Sequence, residues 1–451
     1  MQPLLPDSLP FDAAQAASIL QQLPARQSAV FALCGEPGQE PYIGIAADLR
    51  RRLARLLLAD PAHPRRLQLA ARVRRIHWCL TGSRLESQFL QFRLLEQAYG
   101  ERALERMHLR SPAFIRFHGS NAYPRLSVVT RLPRDHAEWL YGPFASRAAA
   151  ERYCEEVLKL FLLRRCEENL HPDPSHPGCV YSEMKKCLAP CFQGCSDQRY
   201  AEEASAVEQF LATSGQSRLL VLSAERDAAS AALEFERAAV LHAAVRQVDS
   251  VHALAGEMVR PLARLQACLV LPAAQPDAVA LFLFTRGTLR GPALFSTLGM
   301  RIQNEASGSS SLFAQPMLLE PVPEQPSSAR TSSRDALASR LDIAIEHLQQ
   351  TEHASAVRRI GDLALLSRWY HRPAQQRGGE IFFAALQEPH PSGDSEGSAP
   401  SPWNRKAILR GIGRVAAERL AQRAQAIVEA RPAQAELTSP CPDNPPHTAA
   451  S

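Results

Sequence analysis

No stretch of this sequence reaches the ~18 uninterrupted apolar residues of a membrane span, and Met1 to Arg26 lacks a basic segment leading into a long apolar one. On that ground neither a membrane partner nor export is expected, and a cytoplasmic location is the expectation. Lysine is nearly missing, standing only at Lys159, Lys185, Lys186 and Lys406, so arginine supplies almost all of the 51 basic side chains. A large net charge is missing too. At +5 over 451 residues the overall charge says little about partners, and its distribution says more. Arg50, Arg51, Arg52 and Arg55 are followed by Arg65, Arg66, Arg72, Arg74 and Arg75. Such a density can neutralise a phosphate backbone, and it can equally be a solvated face.

Apolar residues make up 45% of the chain, enough at this length for about two to four cores. The expected class is α+β and multidomain. Ser28–Cys34 and Tyr42–Ala46 are short apolar runs separated by Gly35, Pro37, Gly38 and Pro41, which predicts a hairpin. Asp48 is a good N-cap for a helix with Leu49, Leu53, Leu56 and Leu57 on one side and arginines on the other. Val73, Ile76, Trp78 and Leu80 suggest a third strand. Ser83 to Glu86 has the form of a capping box opening a second helix with Leu85, Phe89 and Phe92 in its apolar stripe. A small α/β layer is therefore expected over 25–105, after a leader at 1–24.

Further on, Leu126–Thr130 reads as a strand and Ser146–Arg165 as a helix, inside a cysteine-rich region at 106–197. Helical periodicity over Gln198–Ala253 predicts a helical hairpin at 198–260. Ala267–Pro272 and Ala278–Thr285 are β-like runs that open a small α/β unit at 261–385. Ser307–Ser311, Pro321–Ser333 and Pro389–Pro402 are rich in Ser, Pro and Gly. Loops, a linker at 386–404, a helix at 405–431 and a disordered tail at 432–451 follow from that composition.

Ten cysteines would be a disulfide framework in a small secreted domain, but here five of them fall between Cys166 and Cys195. Local clustering in a reducing compartment points to a metal. Cys166, Cys179, Cys187 and Cys191 are spaced C-x12-C-x7-C-x3-C. Four thiolates suit a tetrahedral Zn²⁺ or a [4Fe–4S] cluster, and spacing alone does not choose between them. Reduced thiols without metal are the remaining reading. Arg164, Arg165, Lys185 and Lys186 alongside favour thiolates electrostatically. Cys195 is a substitute ligand, and Cys154 reads as core.

Ala29-Val30-Phe31, Tyr42-Ile43-Gly44 and Asp48-Leu49-Arg50-Arg51-Arg52 resemble the GIY-YIG nuclease domain, whose element order matches the layer above. The resemblance implies metal-assisted hydrolysis of DNA phosphodiesters. It places Tyr42 as base toward water and Arg52 on the phosphate, with Arg50, Arg51 and Arg55 facing DNA, and a Mg²⁺ or Mn²⁺ held by a glutamate whose position is Gln91. Three positions depart from the pattern: Phe31 replaces a tyrosine, Ile45 a lysine, and Gln91 that glutamate. A free phenol has a pKa of ~10 and needs a neighbour to lose its proton, which Ile45 cannot provide. Gln91 lacks the negative charge a hard dication favours. Glu86 and Glu96 lie five residues away, roughly 140° around a helix axis, so neither shares its face. A weak or inactive nuclease site is the expectation.

From Tyr141-Gly142-Pro143-Phe144 through Cys191 the chain resembles the N-terminal half of the UvrC family of DNA-repair excinucleases, which implies an iron–sulfur cluster more than zinc. Ala228–Val248, with Leu233-Glu234-Phe235-Glu236-Arg237-Ala238-Ala239, is similar to the UVR motif through which that family engages UvrB. Leu233, Phe235, Ala239 and Leu241 are then the partner-binding residues, packing within the chain being the alternative. Cys268–Ser296 faintly resembles the opening strands of the family's second nuclease domain, without its acidic and histidine constellation. Gly411-Ile412-Gly413 hints at a DNA-binding hairpin but reads equally as ordinary helix. Three functions stand: a noncatalytic repair factor binding damaged DNA and a UvrB-like subunit, an endonuclease making one incision, and a metal-cluster protein of unrelated role.

Overall fold

The computed structural model describes residues 4–58, 67, 69–132, 139–298, 300, 333–350, 354–385 and 401–430. Arg65, Arg66, the Ser307–Ser311 loop and the tail lie outside the described residues, as do most of the two proline-rich segments. Among the described residues the architecture is mixed α+β, built around three four-stranded sheets.

The first unit runs β1 (Asp7–Pro10), α1 (Ala16–Gln21), β2 (Ala29–Cys34), β3 (Tyr42–Ala46), α2 (Leu49–Leu57), β4 (Arg75–Leu80), α3 (Arg84–Tyr99) and α4 (Arg102–Arg106). Its sheet has the order β1-β4-β2-β3, with antiparallel pairs throughout. Strand alternation divides the side chains between two cores. Ala29, Phe31 and Leu33 meet Leu49, Leu53, Leu56 and Leu57 of α2 on one face. Val30 and Ala32 meet Leu85 and Phe89 of α3 on the other. Asp48 accepts the Arg51 N–H at 3.1 Å and Ser83 Oγ the Glu86 N–H at 3.1 Å, so both expected caps form.

The stretch 1–24, expected as a leader, folds with this layer from Leu4 onward. Asp7–Pro10 pairs with Arg75–Trp78, and Leu5, Phe11, Leu20 and Leu23 are buried. Pro10 is tolerated because it ends an edge strand, where a missing N–H costs little.

The second unit contains β5 (Ala113–Phe117), β6 (Leu126–Val129), β7 (Leu140–Phe144), α5 (Arg147–Leu160), α6 (Val180–Glu183), α7 (Asp197–Ala212), α8 (Gln216–Ala231), α9 (Phe235–Ala255) and β8 (Arg260–Pro261). The sheet order is β6-β5-β7-β8. The cysteine-rich region is thus more than a metal loop, since α5 packs on a sheet that the helical segment rejoins through β8. The expected helical hairpin is α8 and α9, preceded by the separate helix α7.

The third unit runs β9 (Ala267–Pro272), β10 (Ala278–Thr285), β11 (Thr288–Ser296), α10 (Ser333–Gln349), α11 (Ala356–Tyr370), α12 (Ala374–Arg377), β12 (Glu380–Phe383) and α13 (Arg405–Ala430). Its sheet, β11-β10-β9-β12, is covered on both faces. Leu269, Leu271, Phe282 and Phe284 pack toward α3 and α11, while Val270, Leu281 and Leu283 pack under α10 and α13. That double burial explains the nearly continuous apolar run of β9. The helix expected after the linker is therefore a layer of this unit, with Ile408, Ile412 and Val415 buried. Gly411 lies inside it, where a Cβ would come within 2.3 Å of the Phe382 ring.

Candidate functional site

Tyr42 opens the edge strand β3, and alternation turns it to the same face as α2. Its hydroxyl lies 3.4 Å from a terminal nitrogen of Arg52, one helical turn after the Asp48 cap. Arg51, Arg52 and Arg55 line one groove with Ile45–Asp48. The local sequence makes this arrangement, because apolar residues at 49, 53, 56 and 57 leave the intervening arginines on the open side. Arg50 is the exception among the arginines expected to face DNA. Its Nε donates to Leu23 O at 2.9 Å and a terminal nitrogen to Gln21 O at 2.7 Å, which ties α1 to α2.

Gln91 lies half-buried on α3, the helix over the opposite face of the sheet. Neither nearby acid substitutes for it. Glu86 is buried and accepts the Gly82 N–H at 2.7 Å, and burial pushes its carboxyl up to about 7, opposed by N–H donors from Gly82 and Ser83. Glu96 is held by Arg358 at 3.0 Å and by Ser355 at 3.1 Å.

The second constellation is the cysteine cavity. Cys166, Cys179, Cys187 and Cys191, far apart in sequence, line one small cavity with Arg164, Arg165, Leu170, Tyr181 and Pro190. Arg164 is buried and organises the chain around it. Its Nε donates to Tyr123 O at 2.8 Å, and a terminal nitrogen reaches Glu168 O at 2.8 Å and Cys166 Sγ at 3.5 Å. Tyr200 of α7 accepts the Arg164 N–H at 3.1 Å and donates to Pro124 O at 2.8 Å, fixing the loop from the helical side.

Burial raises the Cys187 thiol to about 11, with the Ala189 N–H opposing and the three other cavity thiols adding to the rise. An all-sulfur lining suits a soft cation or cluster rather than a hard dication. Among the described residues, however, no three His, Cys, Asp or Glu side chains converge closely enough to hold a single ion. Cys154 is buried in the second core and Cys195 packs beside it, outside the cavity lining.

At the third constellation, the α8–α9 turn, Leu233 and Phe235 are 71% and 67% exposed. Ala239 is exposed as well, while Leu241 is half-buried against the second core. Val240 and Leu220, which no motif singles out, are also exposed, at 70% and 68%. Among the described residues no helix is long and apolar enough to cross a membrane.

An arginine-lined groove on a small layer, a four-thiol cavity beside a second sheet and a helical hairpin with exposed apolar residues belong to a multidomain α+β protein. Residues 113–210 match the UvrC/Cho excinuclease middle domain, from the first residue of β5 into α7. The chain is 28% identical over 229 residues to the UvrABC system protein C of Alcanivorax borkumensis, covering 50% of this chain and 37% of that protein. With the same-named protein of Ruegeria sp. the figures are 29% over 216 residues, 48% and 33%. For that of Nitratidesulfovibrio vulgaris they are 30% over 217 residues, 48% and 31%. Over about half of its length the chain is similar to these UvrC-family proteins, and it spans about a third of the length of the curated relatives it matches. No solved structure matches it.

Proposed function

We propose that this chain is a cytoplasmic UvrC-like nucleotide-excision-repair protein that binds damaged DNA and a UvrB-type subunit through a nuclease-like layer, a cluster-bearing middle unit and a helical hairpin. The observation that carries the reading is the exposed apolar face around Leu233 and Phe235, which follows directly on the segment similar to the UvrC middle domain. A two-helix hairpin with so much apolar surface in water gains from a partner helix. The GIY-YIG-like layer contributes phosphate contacts from Arg51, Arg52 and Arg55. Its hydrolytic site is incomplete because Gln91 brings no charge and Glu86 and Glu96 are engaged elsewhere. The four thiols would hold a [4Fe–4S] cluster, or zinc as second choice, whose part here is to brace the loop between α5 and α7.

A second reading, an active single-incision endonuclease using Mg²⁺ or Mn²⁺, is favoured by the contact of Tyr42 with Arg52, which lines an open groove. Purified protein incubated with either metal and a lesion-bearing or nicked duplex separates the two. Binding without incision is expected. Robust cleavage that disappears in Tyr42→Phe overturns the incomplete-site reading. For the partner, Leu233→Asp with Phe235→Asp is expected to abolish capture of a UvrB-type subunit, and unchanged capture removes the hairpin assignment.

A further inference from the structure

The β5–β6 pair carries a cationic cluster that neither the nuclease-like layer nor the cysteine cavity uses. Arg116 lies opposite Ser127, and the His118 N–H donates to Arg125 O at 2.9 Å, continuing the ladder. Period-two alternation sends Ile115, Phe117 and Leu126 into the core under α5. Arg116, His118, Arg125 and Ser127 therefore share the opposite face, where His118 Nε2 lies 2.8 Å from Ser127 Oγ. The Nε atoms of Arg116 and Arg125 are buried without a hydrogen-bond partner. Among the described residues no carboxylate pairs with Arg116, Arg125 or Arg131. Burial first, then Arg125, Arg116 and Arg164, hold the His118 ring down to about 4, so it is neutral at physiological pH.

This cluster does not end at the strand edge. Arg116 and Arg131 line a cavity of about 350 Å³ with Leu132, and Leu132 also walls a cavity of about 380 Å³ that carries Arg286 and Arg359. The second cavity lies between the middle and third units, with Leu140, Leu262, Ile360 and Leu363 among its lining residues. The result is a succession of guanidiniums beside an apolar wall.

We infer that this cleft binds single-stranded DNA, with backbone phosphates on Arg116, Arg125 and Ser127 and the strand continuing over Leu132 toward Arg286 and Arg359. The inference rests on the DNA-binding reading above and assigns where the strand lies. A guanidinium offers a planar fork to phosphate oxygens, and a repeating anion neutralises successive arginines that otherwise repel one another. The apolar wall selects the single strand, because its bases and sugars are open to contact whereas those of a duplex are stacked inside.

The test is binding of the full chain to a labelled strand of about 20 nucleotides, long enough to cover the site of a single-strand-binding module, measured against salt. Arg116→Gln with Arg125→Gln removes two phosphate contacts. The slope of log K against log [salt] is then expected to fall by ~1.4, and affinity at 0.1 M salt by roughly ten- to thirtyfold. Arg286→Gln and Arg359→Gln are each expected to lower the slope by ~0.7. Arg147→Gln with Arg226→Gln removes the same charge from two ion-paired positions outside the cleft and is expected to change neither quantity. An unchanged thermal midpoint shows that the variants fold.

If wild type binds the strand and the Arg116/Arg125 variant binds equally well, the cleft assignment fails and the DNA-binding reading stands. If wild type binds no DNA, both fail. Full displacement of the strand by inorganic phosphate at constant ionic strength assigns a free-phosphate site instead and overturns the inference. So does equal, variant-sensitive binding of polyglutamate.

Discussion

Arg93 of α3 donates to Asp362 of α11 at 2.8 Å, and the carboxylate is completely buried. The same guanidinium donates to Leu289 O at 2.9 Å and lies over the Phe89 ring at 4.4 Å. Asp362 also accepts the Leu289 N–H at 2.9 Å. The helix that carries Gln91 is thereby joined to the third unit by an ion pair shielded from water. Burial pushes the Asp362 carboxyl up, against the opposing pull of Arg93.

Removing one partner should be costly. Asp362→Ala leaves the Arg93 guanidinium with only the longer carboxylate contact, to Glu96 at 3.8 Å. Breaking a buried pair typically costs about 3–5 kcal/mol, and Arg93→Leu with Asp362→Leu should recover part of that loss. Denaturant midpoints of the two variants check this, and equal midpoints contradict it.

Glu86 should make stability depend on pH. Its folded value of about 7 lies above the ordinary 4.5, so the folded state holds the proton more tightly. Its contribution is present below about 4.5 and is lost as pH rises to about 7, up to about 3 kcal/mol in all. Glu86→Gln should flatten this part of the stability–pH curve. A slope unchanged by the substitution removes Glu86 as its source.

The contact between the first and third units is tight at two glycines. A Cβ at Gly361 would lie 2.1 Å from the Phe92 ring, and one at Gly82 would lie 2.2 Å from the backbone of Ala273. Gly361→Ala should cost about 1–3 kcal/mol, as overpacking does, and Phe92→Leu in the same chain should relieve part of it. Gly82→Ala has no flexible neighbour to displace, so no second-site side-chain change should rescue it. Thermal unfolding of the three variants distinguishes these outcomes.

The cysteine cavity predicts a metal-dependent loop. Anaerobically purified protein should carry visible absorbance with iron and sulfide, and Cys187→Ser or Cys191→Ser should lose both together with protease resistance between α5 and α7. Zinc without sulfide would select the tetrahedral alternative. Metal content unchanged by all four serine substitutions would remove the site.

Much of the local structure was legible in the sequence because its causes are local. The Asp48 and Ser83 caps, the apolar run of β2 and the Leu49–Leu57 stripe each follow from a few neighbouring residues. Asp7–Pro10 is not legible in the same way, because a short strand containing proline carries no β signal of its own and is held by Arg75–Trp78. Arg50 looks like its neighbours until its bonds to Leu23 and Gln21 distinguish it.

Sequence alone determined the elements with strong local signals, the four-cysteine spacing and the resemblance to the UvrC family, since composition, periodicity and motif are properties of the chain read in order. Only the tertiary structure decided that four distant thiols share a cavity, that Glu86 and Glu96 are engaged away from Gln91, and that Arg116, His118, Arg125 and Ser127 form one face. Those facts depend on strand register and on which helix covers which sheet. Register and packing are set by the burial of apolar surface across the whole molecule, and no short segment contains that information.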